Sequence, residues 1–252
     1  MKLRYPLLAA SAVALLCSGG AAAADAAAEN PVRNPRVIDK LVEMGATLRA
    51  LGDFRVEADA SRDVVLDNGQ KIKQLASASL LASGKDKLRV DIRGDRLSRN
   101  IYFDGKQLTL YAPATRYYAS TPLPGNTAAM LETAEEKLGI EIPLADLFLF
   151  GKSQAQLDAI KSAVYVGAST VNGQRCDHLA FREDTIDWQL WVSRGERPLP
   201  CKLVVTSTDQ SEQPEYSVTY RWNTKAKARA GDFRFQPAKG DLPIPLTSAS
   251  AQ

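Results

Sequence analysis

The chain has little of what most reaction chemistry is built from. There is one histidine, His178, among 252 residues, so any Ser-His-Asp or Cys-His device must use it. Its neighbour Asp177 cannot orient it if the segment is a strand, because adjacent strand residues point to opposite faces. No Gly-x-Ser-x-Gly elbow occurs, and neither does a CxxC or HxxxH spacing,. Acidic pairs such as Glu135-Glu136 fall on a helical pattern and read as a solvated face, not as a glycosidase pair. An excess of charge is lacking too: 32 Lys and Arg against 29 Asp and Glu leave +3. No basic stripe interleaves with aromatics, which argues against nucleic acid as a partner. Aromatic content of 7% does not favour a stacked sugar-binding surface. We expect neither catalytic residues nor a cofactor nor a bound metal.

Long apolar runs are missing as well. The longest, Leu7 to Leu16, has about ten residues, half of what a bilayer span needs. With Lys2 and Arg4 before it and Ala22-Ala23-Ala24 after it, this run reads as the core of a signal peptide, residues 1–24, cut after Ala24,. Cys17 does not make a lipobox, because Leu16 stands where a small residue is required. The mature part keeps about 228 residues with net charge +1, since Lys2 and Arg4 leave with the leader. No transmembrane segment is expected in it, and the expected location is the periplasm.

Two cysteines remain after the leader, Cys176 and Cys201. Export makes a disulfide chemically allowed. If 174–182, 186–193 and 201–207 form a meander, however, both cysteines flank the middle strand at one end. Two strand spacings are roughly 9.5 Å, beyond the ~7 Å between Cα atoms that a disulfide tolerates. The bridge forms only if the middle strand stops short or bends away, and two unpaired, part-buried thiols are the alternative. Cys176, His178 and Cys201 also compose the one conceivable metal trio, because Cys176 and His178 share a strand face.

Residues 25–33 read as a flexible leader. Asn34-Pro35 then opens a helix, whose apolar face is Val37, Leu41, Met44, Leu48 and Leu51 and whose expected close is Gly52 as a C′ glycine. Strand alternation follows in Phe54-Val56-Ala58, Leu88-Val90-Ile92, Ile101-Phe103 and Leu108-Leu110, with turn signals at Asn68-Gly69, Asp104-Gly105 and Pro113-Ala114-Thr115,. The middle changes period. A helix capped at Asn126 or Thr127 ends at Gly139, Leu144 to Phe150 is apolar except for Asp146, and Ser153 caps a short helix to Ile160. Alternation resumes around Asn172-Gly173 and continues through Trp188, Leu190 and Val192 to Tyr216, Val218, Tyr220 and Trp222, with Phe233 and Phe235 near the end. Trp188 and Trp191 fall on opposite faces. From residue 238 the tail to 252 is polar and Pro-rich and reads as flexible, apart from an edge contact by Leu242 to Leu246.

This order resembles the LolA-like superfamily of periplasmic lipoprotein and lipid carriers, and more closely an uncharacterised family of predicted periplasmic proteins within it. The segments that carry the likeness are Asp104-Gly105-Lys106-Gln107-Leu108-Thr109-Leu110-Tyr111, Cys176 to Arg182, Asp187-Trp188-Gln189-Leu190-Trp191-Val192, Pro198-Leu199-Pro200 and Phe233-Arg234-Phe235-Gln236-Pro237. The resemblance implies an α+β domain over residues 34–237. Its frame would be a single curved antiparallel sheet of about eleven strands, a half-open barrel closed by a Phe-x-Phe-x-Pro strand. An N-terminal helix and a helical insert would cover the concave side. It implies a hydrophobic ligand, a lipid or an acyl chain, in the hollow. The residues expected to line it are Val90, Ile92, Ile101, Phe103, Leu108, Leu110, Leu147 and Phe150, and Leu144 to Phe150 reads equally as a lid or as ordinary core. The alternative is an envelope protein–protein module that grips its partner through the same sheet groove, and a metal-dependent enzyme at Cys176, His178 and Cys201 comes third.

Overall fold

A computed structural model describes residues 32–95, 98–140, 142 and 144–246. The expected leader, its cleavage site after Ala24, residues 25–31 and the last six residues of the tail lie outside the described residues.

The first element is helix α1, Pro35–Ala50. The Asn34 side chain accepts from the Arg36 N–H at 3.0 Å, and the helix buries Val37, Leu41, Met44, Gly45 and Leu48. Its close differs from expectation: Leu51 turns to extended backbone and its N–H bonds to Leu48 O. Gly52 is therefore not a left-handed cap, and it has no positive φ.

Six strands form the first meander: β1 (Phe54–Val65), β2 (Lys71–Ser83), β3 (Lys87–Gly94), β4 (Ser98–Phe103), β5 (Gln107–Ala112) and β6 (Tyr117–Pro122). Five form the second: β7 (Ser162–Val171), β8 (Gln174–Arg182), β9 (Ile186–Ser193), β10 (Pro200–Ser207) and β11 (Glu215–Asn223). Asn172-Gly173 makes the two-residue turn that its sequence asks for, with φ of 48° and 78°,. Asn68-Gly69 turns the chain through a longer loop. Gly69 donates to Leu66 O at 2.8 Å, Leu66 donates to Gln70 O at 2.9 Å, and of this pair only Gly69 has positive φ.

All eleven strands join one open, curved sheet through the antiparallel pairing of β1 with β11. A twelfth, β12 (Leu242–Pro243), adds to β6 in parallel at the far edge. This is the edge contact expected of the tail, and it raises the strand number from about eleven to twelve. The strand order β12-β6-β5-β4-β3-β2-β1-β11-β10-β9-β8-β7 dictates the rest. Since β6 and β7 stand near opposite ends of the sheet, residues 123–161 must cross its whole width. They do so as helices α2 (Thr127–Leu138), α3 (Asp146–Leu149) and α4 (Gln154–Ala159). On the helix-covered face Val56, Leu80, Leu88, Val90, Ile101, Phe103 and Leu108 form one core with Met44, Met130, Leu131, Ala134, Leu144 and Leu147. These strand positions alternate with polar or aromatic residues on the outer face, as a half-buried sheet requires; Leu81, buried next to Leu80, is the exception.

The end of the chain corrects a second expectation. Residues 230–233 make a 3-10 turn instead of a strand. Because β11 lies mid-sheet and β12 at the edge, the intervening residues must also travel across strands, and they use the outer face. Phe233 is buried (2% exposed) but lies outside the main core cluster. Phe235 packs on Tyr102, Tyr111 and Tyr118, with ring centroids 4.7 to 5.6 Å apart. Arg234 reaches Asp104 at 3.1 Å, and Asp241 takes Arg116 at 3.0 Å and the Tyr111 hydroxyl at 3.1 Å. The Phe-x-Phe segment is thus a strap over the sheet.

Candidate functional site

The two halves of the sheet are covered differently. Over β3, β4 and β5 the space is filled. Val90, Ile101 and Phe103 are wholly buried, Leu108 and Leu147 nearly so, and Ile92 and Leu110 pack partly buried against them. Over β9 and β10 it is not filled. There the structure has a pocket of about 520 Å3, within the range of small-molecule sites.

The floor of this pocket is the inner face of two paired strands: Ile186 and Trp188 from β9, Leu203 and Val205 from β10, with Trp188 directly opposite Val205. Phe181 stacks on Trp188 at 3.9 Å, and its bulk fixes the indole plane. One wall is Leu41 of α1 with Phe150 and Gly151. The roof is α4 with the residue after it, which contributes Ala155, Gln156, Leu157, Ala159 and Ile160. The cause of the empty volume is legible in the roof. Ala155 and Ala159 stand one helical turn apart (i, i+4) and share a face, and a methyl group cannot reach the strands below. The helix has no buried residue. Ala155 and Gln156 are exposed while lining the space, so the pocket opens to solvent at α4.

Local bonds hold the roof. Ser153 Oγ accepts from Gln156 N–H at 3.3 Å, and Gln156 Oε1 accepts from Lys152 N–H at 3.3 Å, a reciprocal arrangement close to a capping box. Arg33 Nη2 and Nε donate to Leu157 O and Ile160 O at 2.7 and 3.1 Å, tying the end of α4 to the segment before α1. That segment also pairs in parallel with the start of β7 through Arg33 and Ala163. The wall depends on a close backbone approach. A Cβ added at Gly45 would lie 2.2 Å from Phe150 O, and Gly151, at φ +58°, sits against Val42. Arg49 donates to the same Phe150 oxygen at 2.8 Å.

The pocket's polar lining is small. Glu183, in the turn between β8 and β9, accepts from Trp188 Nε1 at 2.9 Å and is half-buried. Gln156 is the other polar side chain of the lining, and it carries no charge. A more polar recess of about 410 Å3 lies beside the start of α1, lined by Asn34, Arg36, Lys40, Tyr165 and Asp177 among others. There Asp177 meets Lys40 and Arg194, both at 2.7 Å, and the Tyr165 hydroxyl at 3.2 Å. Burial by itself pushes the Asp177 carboxyl up, but the hydrogen bonds from Lys40 and Arg194, with the Lys40 charge, outweigh it and hold the carboxyl below its ordinary value,.

Of the eight residues expected from the sequence to line a hollow, Phe150 does so. Val90, Ile92, Ile101, Phe103, Leu108, Leu110 and Leu147 belong to the filled half, and Leu144 and Leu147 are core instead of lid. Alternation marks the inward face of every strand equally and carries no information on what stands above it. The signal overlooked was Ala155 and Ala159 at i, i+4 in a short helix whose one large apolar residue is Leu157.

Cys176 and Cys201 are joined in a disulfide. The way around the spacing differs from the expected one: β9 runs up to Ser193, the partner of Cys176, and it is β10 that shifts register between Pro200 and Lys202, leaving Cys201 without a register partner and its Cα 6.9 Å from that of Cys176. The considered metal trio is thereby ruled out, because its thiolates are consumed. His178 stacks on Trp191 at 4.0 Å, and its Nε2 bonds to Gln189 Oε1 at 2.9 Å on the outer face. Trp188 and Trp191 fall on opposite faces as expected, Trp188 buried in the core and Trp191 half-buried on the outer face.

A family model described as "Predicted periplasmic protein (DUF2092)" matches residues 38–247. No curated protein matches the chain. Among solved structures the chain is similar to LppX of Mycobacterium tuberculosis, a lipoprotein, at 10% identity and TM-score 0.44, covering 77% of this chain and 98% of that one. It is similar to the LolA superfamily protein NE2245 of Nitrosomonas europaea at 12% identity and TM-score 0.39, covering 79% and 97%. It is also similar to MucB at 15% identity and TM-score 0.40, covering 82% of this chain and 64% of that one, so that it spans under two thirds of MucB's length.

Proposed function

The chain belongs to the DUF2092 family of predicted periplasmic proteins, and on that premise we propose that it is an exported binding or carrier protein for a hydrophobic ligand, a lipid or an acyl chain, held between α4 and the β9–β10 half of the sheet. Export would use the leader, with cleavage after Ala24, and the protein would work in the periplasm. Among the described residues no helix is long and apolar enough to cross a membrane. One observation carries the reading: an apolar pocket of about 520 Å3 that opens beside a thin, alanine-faced helix. Apolar burial is worth about 0.8 kcal/mol per methylene, so ten methylenes would bring roughly 8 kcal/mol before ordering costs are subtracted. No charged catalytic group is needed for that.

The test is to fill the space without disturbing the core. Ala155 is exposed and tolerates a larger side chain, so Ala155→Trp should leave the unfolding transition in place. It should abolish uptake of an apolar fluorescent dye and of any lipid mass seen by native mass spectrometry on protein purified from periplasm. A lipid-free wild-type protein that takes up no dye would end the carrier reading.

One feature favours the second reading, an envelope protein–protein module. Beyond Ala163 the outer edge of β7 has no strand partner among the described residues and exposes Val164, Tyr165 and Val166, as a strand-addition site would.

A further inference from the structure

The pocket carries a charge of one sign. Glu183 is the ionisable side chain of its lining, and its carboxylate is held over the apolar space by the Trp188 indole N–H at 2.9 Å. The cations on the neighbouring segments stand outside the lining: three pair with other carboxylates, while Arg33 and Arg49 keep their charge and donate to backbone carbonyls of the wall and roof. Lys161 pairs with Asp184 at 3.5 Å, Arg182 forks Asp187 at 2.7 Å, Lys152 pairs with Glu132 at 2.6 Å, and Arg33 is bonded to the carbonyls of Leu157 and Ile160. The remaining polar lining group, Gln156, already has its oxygen on the Lys152 N–H. A carboxylate or phosphate brought into this space would meet the negative charge of Glu183, and no cationic side chain lines the pocket among the described residues,. A hydroxyl, an amide N–H or an ammonium would find an acceptor with lone pairs to spare, since an ionised carboxylate takes several donors.

Building on the carrier reading above, we infer that Glu183 selects the ligand's polar end: the pocket takes an apolar chain that ends in a hydrogen-bond donor, neutral or cationic, and rejects one that ends in an anion. Glu183 acts as a specificity residue, and the apolar walls supply the affinity.

The experiment compares one tail with three head groups. Dodecanol, dodecylamine and dodecanoate are titrated near neutral pH into the leader-free protein, read by displacement of an apolar dye and by Trp fluorescence. Dodecanol and dodecylamine should bind at least about tenfold more tightly than dodecanoate, a difference near 1.4 kcal/mol. Glu183→Gln should bring dodecanoate to within about threefold of dodecanol. Dodecanoate binding the wild type as well as dodecanol would overturn the selection by Glu183 and leave the apolar pocket standing. Failure of all three to displace the dye would overturn both. Glu183→Gln keeps an oxygen that can accept from the Trp188 N–H,, and the wild-type ranking decides the matter even if that variant does not fold.

Discussion

Gly45 offers the sharpest test of how the pocket wall is built. It sits inside α1, where alanine is ordinarily better by about 0.5–1 kcal/mol. Helix propensity alone therefore says that Gly45→Ala stabilises. The structure says the reverse. The new Cβ would stand 2.2 Å from the carbonyl oxygen of Phe150, where about 3.4 Å is ordinary contact. The seam between α1 and residues 150–151 must then open by roughly 1.2 Å. Backbone forms the obstacle, so no rotamer change relieves it. Overpacking of this kind costs about 1–3 kcal/mol, and after the propensity gain a net loss of about 1 kcal/mol at mid-range, and of about 2.5 kcal/mol at most, remains. With a urea m-value of about 2 kcal/mol/M the midpoint should fall by roughly 0.5 M, and by about 1.2 M at most. Because Phe150 and Gly151 form a pocket wall, dye uptake should weaken as well. The control is Gly52→Ala: a Cβ there meets nothing within 4 Å and the backbone has no positive φ, so the midpoint should hold or rise. A Gly45→Ala protein as stable as wild type with unchanged uptake would refute the close-approach argument.

Reducing the disulfide, or Cys176→Ser with Cys201→Ser, should lower stability by about 3.5 kcal/mol at most. That figure is the loop entropy of a 25-residue closure,, and equal urea midpoints with and without reductant would contradict it. Asp177 gives a pH signature. Its carboxyl is lowered in the folded protein, so its ion pairs contribute stability above the unfolded value of about 4 and lose it as pH falls through the folded one. Asp177→Asn should be less stable than wild type near neutrality, with the difference shrinking below about pH 4. A difference that stays constant down to pH 2 would show that the network does not titrate as the geometry requires.

The strands, the turns and most helix ends were legible because their causes are local. Alternation marked the inward faces of β1, β3 and β9, Asn172-Gly173 asked for positive φ at both positions and has it, and Asn126 and Gly139 bracket α2 as caps. Gly52 was misread because a glycine after an apolar face looks like a cap whether or not the chain turns left-handed there. Phe233 and Phe235 were misread as a strand because a two-residue alternation also describes a strap that sets two rings on one surface.

What the sequence by itself determined is which side of each strand and helix is apolar and where the chain turns. Those properties arise within a few residues of one another. Tertiary structure decided that β1 joins β11, that the insert must cross from one edge of the sheet to the other, and that Cys201 swings out of register to meet Cys176. It also decided which half of the covered face stays empty. The physical reason is that a void is a mismatch of volumes between distant segments: Ala155 and Ala159 leave space only because the fold sets them over Trp188, Leu203 and Val205. No window along the chain contains both sides of that comparison.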